Sequence, residues 1–207
     1  MLKLSLWQRI YRPAVIRTGG RSAVFLDLQG TLGGDGLGHA LDFTFFPAAI
    51  PAVRAANEAG LPCILVTNQS RIAAGWFTLA QFAVRMDELQ AELEIHGAHW
   101  DAVYCCPHSR DDGCTCCKPL PGMLQQAARD FDLHLPDCAL IGDTGAWDVL
   151  AARAAGCRAV LVHTRLVRTG LGESSLDAYR YLWADVEADA ICADVLEAVQ
   201  WVIGGLV

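Results

Sequence analysis

The chain has 207 residues, enough for one well-buried domain and too few for a second of ordinary size. Apolar residues make up 53% of it and the mean hydropathy is +0.28, which sets it apart from disordered chains. A net charge of −7 and a pI near 5.2 argue against loose binding to nucleic acid or to an anionic membrane, because both require a basic surface; a locally basic pocket remains compatible with them.

At the N-terminus, Leu2, Leu4, Leu6 and Trp7 alternate with polar residues. The apolar stretch is short, Gln8, Arg9 and Arg12 interrupt it, and no small-residue cleavage site follows, so residues 1–20 read as an arm packed on the domain or on a partner rather than as a signal peptide. No run approaches the roughly 18 apolar residues of a membrane span. Nine cysteines, an odd number with five of them in residues 105–117, fit metal binding in a reducing cytoplasm better than a disulfide framework.

Residues 23–26 form a short apolar run suited to a buried strand, and the run ends on Asp27, Leu28, Gln29, Gly30 and Thr31. A buried carboxylate must be paired or bind metal, and ligands of open α/β sheets gather at the carboxyl ends of strands. Asp27 therefore reads as a functional acid, the alternative being a turn residue. The glycine-rich stretch 33–39 lines the site or serves as a flexible connector. Pro47 and Gly60 bound a helix over 48–59.

A second strand over 62–66 runs into Thr67, Asn68, Gln69 and Ser70, and a helix over 78–94 carries Leu79, Phe82, Met86, Leu89 and Leu93 at core spacing. The loop between them contains Arg71, either a substrate contact or a solvated charge. A third strand over 100–104 leads to Cys105, Cys106, Pro107 and His108, and then to Cys114, Cys116 and Cys117. Thiolates and an imidazole crowded into so short a span suit a closed tetrahedral zinc site, whereas scattered core cysteines would be the plainer reading. The insert 109–113 has almost no apolar side chains with which to order itself, which favours the metal. Cys105 and Cys117 are alternative ligands, although strand alternation turns Cys105 and Cys106 to opposite faces.

Further on come a helix over 123–131, a strand over 138–141 ending on Gly142 and Asp143, a helix over 147–155 and a strand over 159–162. The stretch 163–175 with Arg165 and Arg168, a helix over 176–183, an edge strand over 188–192 and a helix over 195–202 complete the chain. Strands alternating with helices predict an α/β fold with a doubly wound parallel sheet. No repeat or linker marks a second domain, so residues 1–207 read as a single one.

Asp27, Thr67, Lys118 and Asp143, with Asp148 five residues further on, stand in that order on successive strand ends and ahead of a helix. They resemble the four motifs of the haloacid dehalogenase-like phosphohydrolases. The loop 105–117, followed by Lys118, Pro119, Leu120, Pro121, Gly122 and Met123, resembles the zinc-binding loop of the branch that holds heptose-bisphosphate and histidinol-phosphate phosphatases. The resemblance implies a Rossmann-like core without a large cap domain and a Mg²⁺-dependent phosphomonoesterase acting on a phosphorylated sugar or small metabolite. Asp27 would be the nucleophile, forming an aspartyl-phosphate. Asp27, the carbonyl of Gln29 and Asp143 would hold catalytic Mg²⁺, with Asp148 behind them. Thr67, Asn68 and Lys118 would bind the phosphoryl group, and Cys106, His108, Cys114 and Cys116 would hold structural zinc.

Three departures stand against the family pattern. Gln29 occupies the position where these phosphatases usually carry a second Asp, the general acid and base. Cys117 replaces an arginine beside the motif lysine. The spacing from Asp143 to Asp148 is one residue longer than the commonest form, with Gly145 available to absorb it. The alternative expectation is a catalytically impaired relative that binds a phosphorylated ligand or a partner protein. The expected partner is a small phosphorylated metabolite rather than nucleic acid or membrane, and the expected assembly is a monomer or small homo-oligomer.

Overall fold

Each apolar run of the sequence alternates its side chains between two buried faces. In the computed structural model, which describes residues 8–11, 22–34, 38–163 and 180–205, these runs become the strands β2 (Val24–Leu26), β3 (Cys63–Asn68), β4 (Ala102–Cys106), β5 (Ala139–Gly142), β6 (Arg158–Val162) and β7 (Ala190–Cys192). Val24 and Leu26, Cys63 and Leu65, Val103 and Cys105, and Val160 and Val162 face one core; Phe25, Ile64, Val66, Tyr104 and Cys106, with Leu140 and Leu161, face the other. With both faces covered, the strands read as continuous apolar runs, as buried parallel strands do.

Helices α1 (Ala49–Glu58), α2 (Leu79–Ile95) and α5 (Val195–Gly204) cover the first face; α3 (Gly122–Phe131) and α4 (Leu150–Ala155) cover the second. The sequence also sets their ends. Thr78 and Gln81 form a reciprocal capping box at the start of α2. The Asp194 carboxylate accepts from the N–H groups of Leu196 and Glu197 at the start of α5.

The six strands β2 to β7 pair in parallel, and a further strand β1 (Gln8–Tyr11) adds antiparallel to β4, giving the order β1-β4-β3-β2-β5-β6-β7. The chain leaves β2 toward β3 and β4 and returns to its other side as β5. The order therefore reverses beside β2, which is where α/β sheets place their ligands.

Several expected elements differ in extent. β3 continues two residues beyond the expected end because its pairing with β4 persists to Asn68 and Cys106. The helix expected over 147–155 begins two residues earlier as a π-helical turn (Gly145–Val149), and α4 follows only from Leu150. Part of the arm 1–20 is the strand β1, and the rest lies outside the described residues, as do 164–179, including Arg165 and Arg168. Of the helix expected at 176–183, the described part is a single 3₁₀ turn, Arg180–Leu182.

Candidate active site and neighbouring cysteine-histidine cluster

Asp27 follows β2, Asp143 follows β5, and the N–H of Asp27 bonds to the carbonyl of Ile141 at 3.0 Å, so the two acids stand side by side across the switch point. Asp148 joins them from the π-turn, and oxygens of all three carboxylates lie within 4.8 Å of one another. The turn carries one residue more than α-helical geometry would, its Leu150 N–H reaching back to Gly145 O. That extra residue accommodates the longer Asp143 to Asp148 spacing and still delivers Asp148 to the cluster.

Asp143 and Asp148 both rest against glycines. A Cβ on Gly30, whose φ is +90°, would lie 2.3 Å from Asp143 Oδ2, and one on Gly142 would lie 2.2 Å from Asp148 Cγ. Neither place has room for a side chain.

Lys118 is buried among the acids. Its Nζ donates to Asp27 Oδ1 at 2.7 Å and to Asp148 Oδ1 at 2.6 Å. Burial alone would push the ammonium down, but Asp148 and Asp27 outweigh it and hold Lys118 charged above its ordinary range. Burial drives the Asp27 carboxyl up to about 6, against the pull of Lys118 and with a further push from Asp148. Asp143 is raised well above the usual range by burial and then by Asp27 and Asp148. Three buried carboxylates gather around one ammonium, which bonds to only two of them, Asp27 and Asp148, an excess of negative charge that a divalent cation with hard oxygen ligands would relieve. The donor set therefore fits magnesium.

Thr67 and Asn68 arrive at the end of β3 with different tasks. Thr67 Oγ1 is buried and accepts from Gln69 Nε2 at 2.9 Å, leaving its own hydroxyl hydrogen to donate. Both atoms of the Asn68 amide are taken by the backbone of Lys118: Oδ1 accepts from its N–H and Nδ2 donates to its carbonyl, each at 3.0 Å. Two such bonds contribute on the order of 1 kcal/mol each and fix the root of the lysine.

Gln29 sits two residues after Asp27 with its amide engaged. Nε2 donates to Gly38 O at 3.0 Å, and Oε1 accepts from Gln69 Nε2 at 3.2 Å. Arg71 donates to the same Gly38 carbonyl and lies 5.1 Å from the centre of the Trp76 ring, which itself stacks on His39. Gln29 thus links Thr67, through Gln69, to the glycine-rich loop. Gln69 belongs to the quoted Thr67 to Ser70 cluster, but only the fold reveals it as the bridge.

A second polar cluster hangs from the end of β4. Cys106 Sγ lies 3.2 Å from Cys116 Sγ and 3.7 Å from Cys114 Sγ, and His108 Nδ1 lies 3.6 Å from Cys106 Sγ and 3.3 Å from Cys116 Sγ. Zinc-sulfur bonds of about 2.3 Å require tetrahedron edges of about 3.7 Å, close to this spread, so the four side chains fit a zinc ion. The Cys106 thiol is pushed above its ordinary range, first by its contact with Cys116. Cys105 points into the opposite core, while Cys117 stays beside the cluster, with its thiol 3.7 Å from the Lys118 carbonyl. From the same loop, Arg110 lies flat on Trp147, its Cζ 3.6 Å from the ring centre.

The sequence profile of the haloacid dehalogenase-like hydrolases matches residues 38–156, and a second hydrolase profile of the same type matches 115–198. The chain belongs to the haloacid dehalogenase-like hydrolase family. Within that family it is 39% identical over 165 residues to D-glycero-beta-D-manno-heptose-1,7-bisphosphate 7-phosphatase of Yersinia pestis, covering 75% of this chain and 87% of that protein. It is 38% identical over 195 residues to the D-glycero-D-manno-heptose-1,7-bisphosphate 7-phosphatase of Thermosynechococcus vestitus, covering 88% and 95%. The crystal structure of D,D-heptose 1,7-bisphosphate phosphatase from B. bronchiseptica, complexed with magnesium and phosphate, superposes with a TM-score of 0.75 at 28% identity, covering 89% of this chain and 99% of that one. The chain is accordingly a haloacid dehalogenase-like phosphatase, and among its described residues no helix is long and apolar enough to cross a membrane.

Proposed function

We propose that the protein is a Mg²⁺-dependent phosphomonoesterase that removes one phosphate from a sugar bisphosphate of the heptose 1,7-bisphosphate kind. The convergence of Asp27, Asp143, Asp148 and Lys118 at the switch point carries this reading, and the substrates named for the relatives direct it to a phosphorylated sugar. Asp27 attacks phosphorus in line as the bond from phosphorus to the sugar oxygen breaks, the sugar leaves taking a proton from water, and water then hydrolyses the aspartyl-phosphate to free Asp27 and inorganic phosphate. Lys118 and the Thr67 hydroxyl donate to the phosphoryl oxygens as charge builds on them. Asn68 acts on this step by holding the Lys118 backbone.

Magnesium, held by Asp27, Asp143 and the Gln29 carbonyl with Asp148 alongside, would neutralise the phosphoryl group and the crowded carboxylates. Zinc, held by Cys106, His108, Cys114 and Cys116, would order the loop rather than take part in chemistry.

Gln29 supplies no proton near neutral pH, and its amide is occupied by Gly38 and Gln69. The barrier then depends strongly on the leaving group: aryl, acyl and anomeric phosphates react far better than alkyl phosphates. The test is phosphate release from a panel containing heptose 1,7-bisphosphate, other sugar phosphates and histidinol phosphate, with wild type and Gln29→Asp in the presence of Mg²⁺. Gln29→Asp should raise kcat on alkyl phosphates by about one to three orders of magnitude. If Gln29→Asp gains nothing on any substrate that wild type hydrolyses, the missing proton donor is not Gln29's doing. If neither protein releases phosphate but both bind the sugar phosphates, the ligand-binding alternative replaces the enzymatic reading.

A further inference from the structure

Arg110 has no part in the chemistry above, yet it is held in place beside it. It begins the 3₁₀ turn Arg110–Asp112, which is fastened without its side chain: the Ser109 N–H donates to the Asp112 carboxylate at 2.8 Å, and Gly113 ends the turn at a φ of 62°. The guanidinium lies on Trp147 with its Cζ 3.6 Å from the ring centre, where the ring's negative face attracts it. Among the described residues no hydrogen bond or ion pair engages it, although Asp111 and Asp112 are its neighbours in sequence. An exposed, planar fork of N–H donors therefore sits on a fixed aromatic platform.

Its position is set by Trp147, which immediately precedes Asp148 in the π-turn. Asp148 and Lys118 are themselves joined at 2.6 Å. Arg110 thus stands on the residue next to Asp148 in the chain segment that delivers this acid to the cluster.

Inside the cluster, the Lys118 charge is already bonded to two carboxylates, and the residue beside it in the chain is a cysteine, Cys117, and not a second basic residue. A substrate with a second phosphate needs a cation outside that cluster.

We propose that Arg110, seated on Trp147, binds the phosphate that a sugar bisphosphate keeps while its other phosphate is hydrolysed, an inference that rests on the phosphatase reading above. A guanidinium matches a phosphate dianion through two parallel N–H bonds, and the ring beneath it removes much of the side-chain freedom that binding would otherwise cost. The ligand class is a monosaccharide bisphosphate, distinguished from its monophosphate by this contact.

The experiment compares kcat/KM for a sugar bisphosphate and for the corresponding monophosphate in wild type, Arg110→Ala and Arg110→Lys. Wild type should prefer the bisphosphate, and Arg110→Ala should lower that preference by about 10- to 100-fold, mainly through KM, the range expected for hydrogen bonds to a charged group. Arg110→Lys, which keeps the charge but not the fork, should recover part of it. An unchanged preference in Arg110→Ala overturns the proposal, whether both substrates slow equally or neither does, while monophosphate turnover leaves the phosphatase reading standing. If wild type hydrolyses neither substrate, that reading fails by itself. Calorimetric titration of the bisphosphate into wild type and Arg110→Ala then decides the subsite: a tenfold or greater loss of affinity supports it, and equal affinity overturns it.

Discussion

The carboxylate-lysine cluster and the cysteine-histidine cluster are neighbours, but they owe their order to different things. The first draws Asp27, Lys118, Asp143 and Asp148 from distant parts of the chain onto the ends of a sheet that two apolar cores already hold. The second takes all four of its side chains from one short segment, the last residue of β4 and the loop after it, whose turn at 110–112 contributes no buried residue. The scaffold makes the first site, at the cost of crowding like charges. In the second, a metal would make the scaffold. A change in the first should therefore damage chemistry and spare the fold, and a change in the second should do the reverse.

Asp27→Asn gives the largest contrast. Removing the attacking oxygen should lower kcat by at least about 10⁴-fold, as loss of a nucleophile does, while the melting temperature holds or rises because one buried like charge is gone. A cooperative loss of structure in this variant, seen by circular dichroism, would contradict the idea that the sheet alone positions the cluster.

Cys114→Ser should act the other way. Protein purified without added zinc should contain about one equivalent of it in wild type and far less in the variant, with a melting temperature lower by about 5–10 °C. Stoichiometric zinc in a Cys114→Ser/Cys116→Ser double variant, or a disulfide in place of the metal, would remove the basis for the comparison.

The smallest effect is a pH dependence confined to the first cluster. Folding raises Asp27 from an ordinary carboxyl value of 3.8 to about 6, and Asp143 rises as well. Between those values the folded state binds more protons than the unfolded state, so the contribution of these acids to stability falls as pH rises through the window. Magnesium favours the ionised acids and should offset that loss. The melting temperature should accordingly gain a few degrees from Mg²⁺ at pH 8 and almost nothing at pH 5, read by differential scanning calorimetry. An equal gain at both values would show that magnesium binds elsewhere.

Much of this was legible in the sequence because the features were local. The apolar runs before Asp27 and Asp143 are strands wherever they occur in a buried parallel sheet, and the fold follows from their alternation with helices. The cysteines and His108 lie so close in sequence that they meet in one loop. What sequence alone did not reveal depends on contacts between distant segments. The Asn68 amide reads only as a phosphate ligand in the sequence, and the fold adds a second task, holding the backbone N–H and carbonyl of Lys118 fifty residues on. Arg110 and Trp147 are unremarkable surface residues until the fold lays one on the other. The extra residue before Asp148 looked like a defect in spacing; a π-turn, which no short-range pattern announces, turns it into a workable reach.

The antiparallel strand β1 bears on how copies of this molecule meet. Without Gln8–Tyr11, the outer edge of β4 would offer a row of unpaired backbone donors and acceptors, a template on which another sheet can extend. Because β1 already lies there, two copies cannot fuse their sheets through β4 without first peeling it away. The opposite edge, β7, is only three residues long and offers few rungs for such a union, although Ile191 is exposed on it. With β1 in place, β4 and the loop it carries are kept free of a neighbour's backbone, and what remains open on that side is the short outer edge of β1 itself.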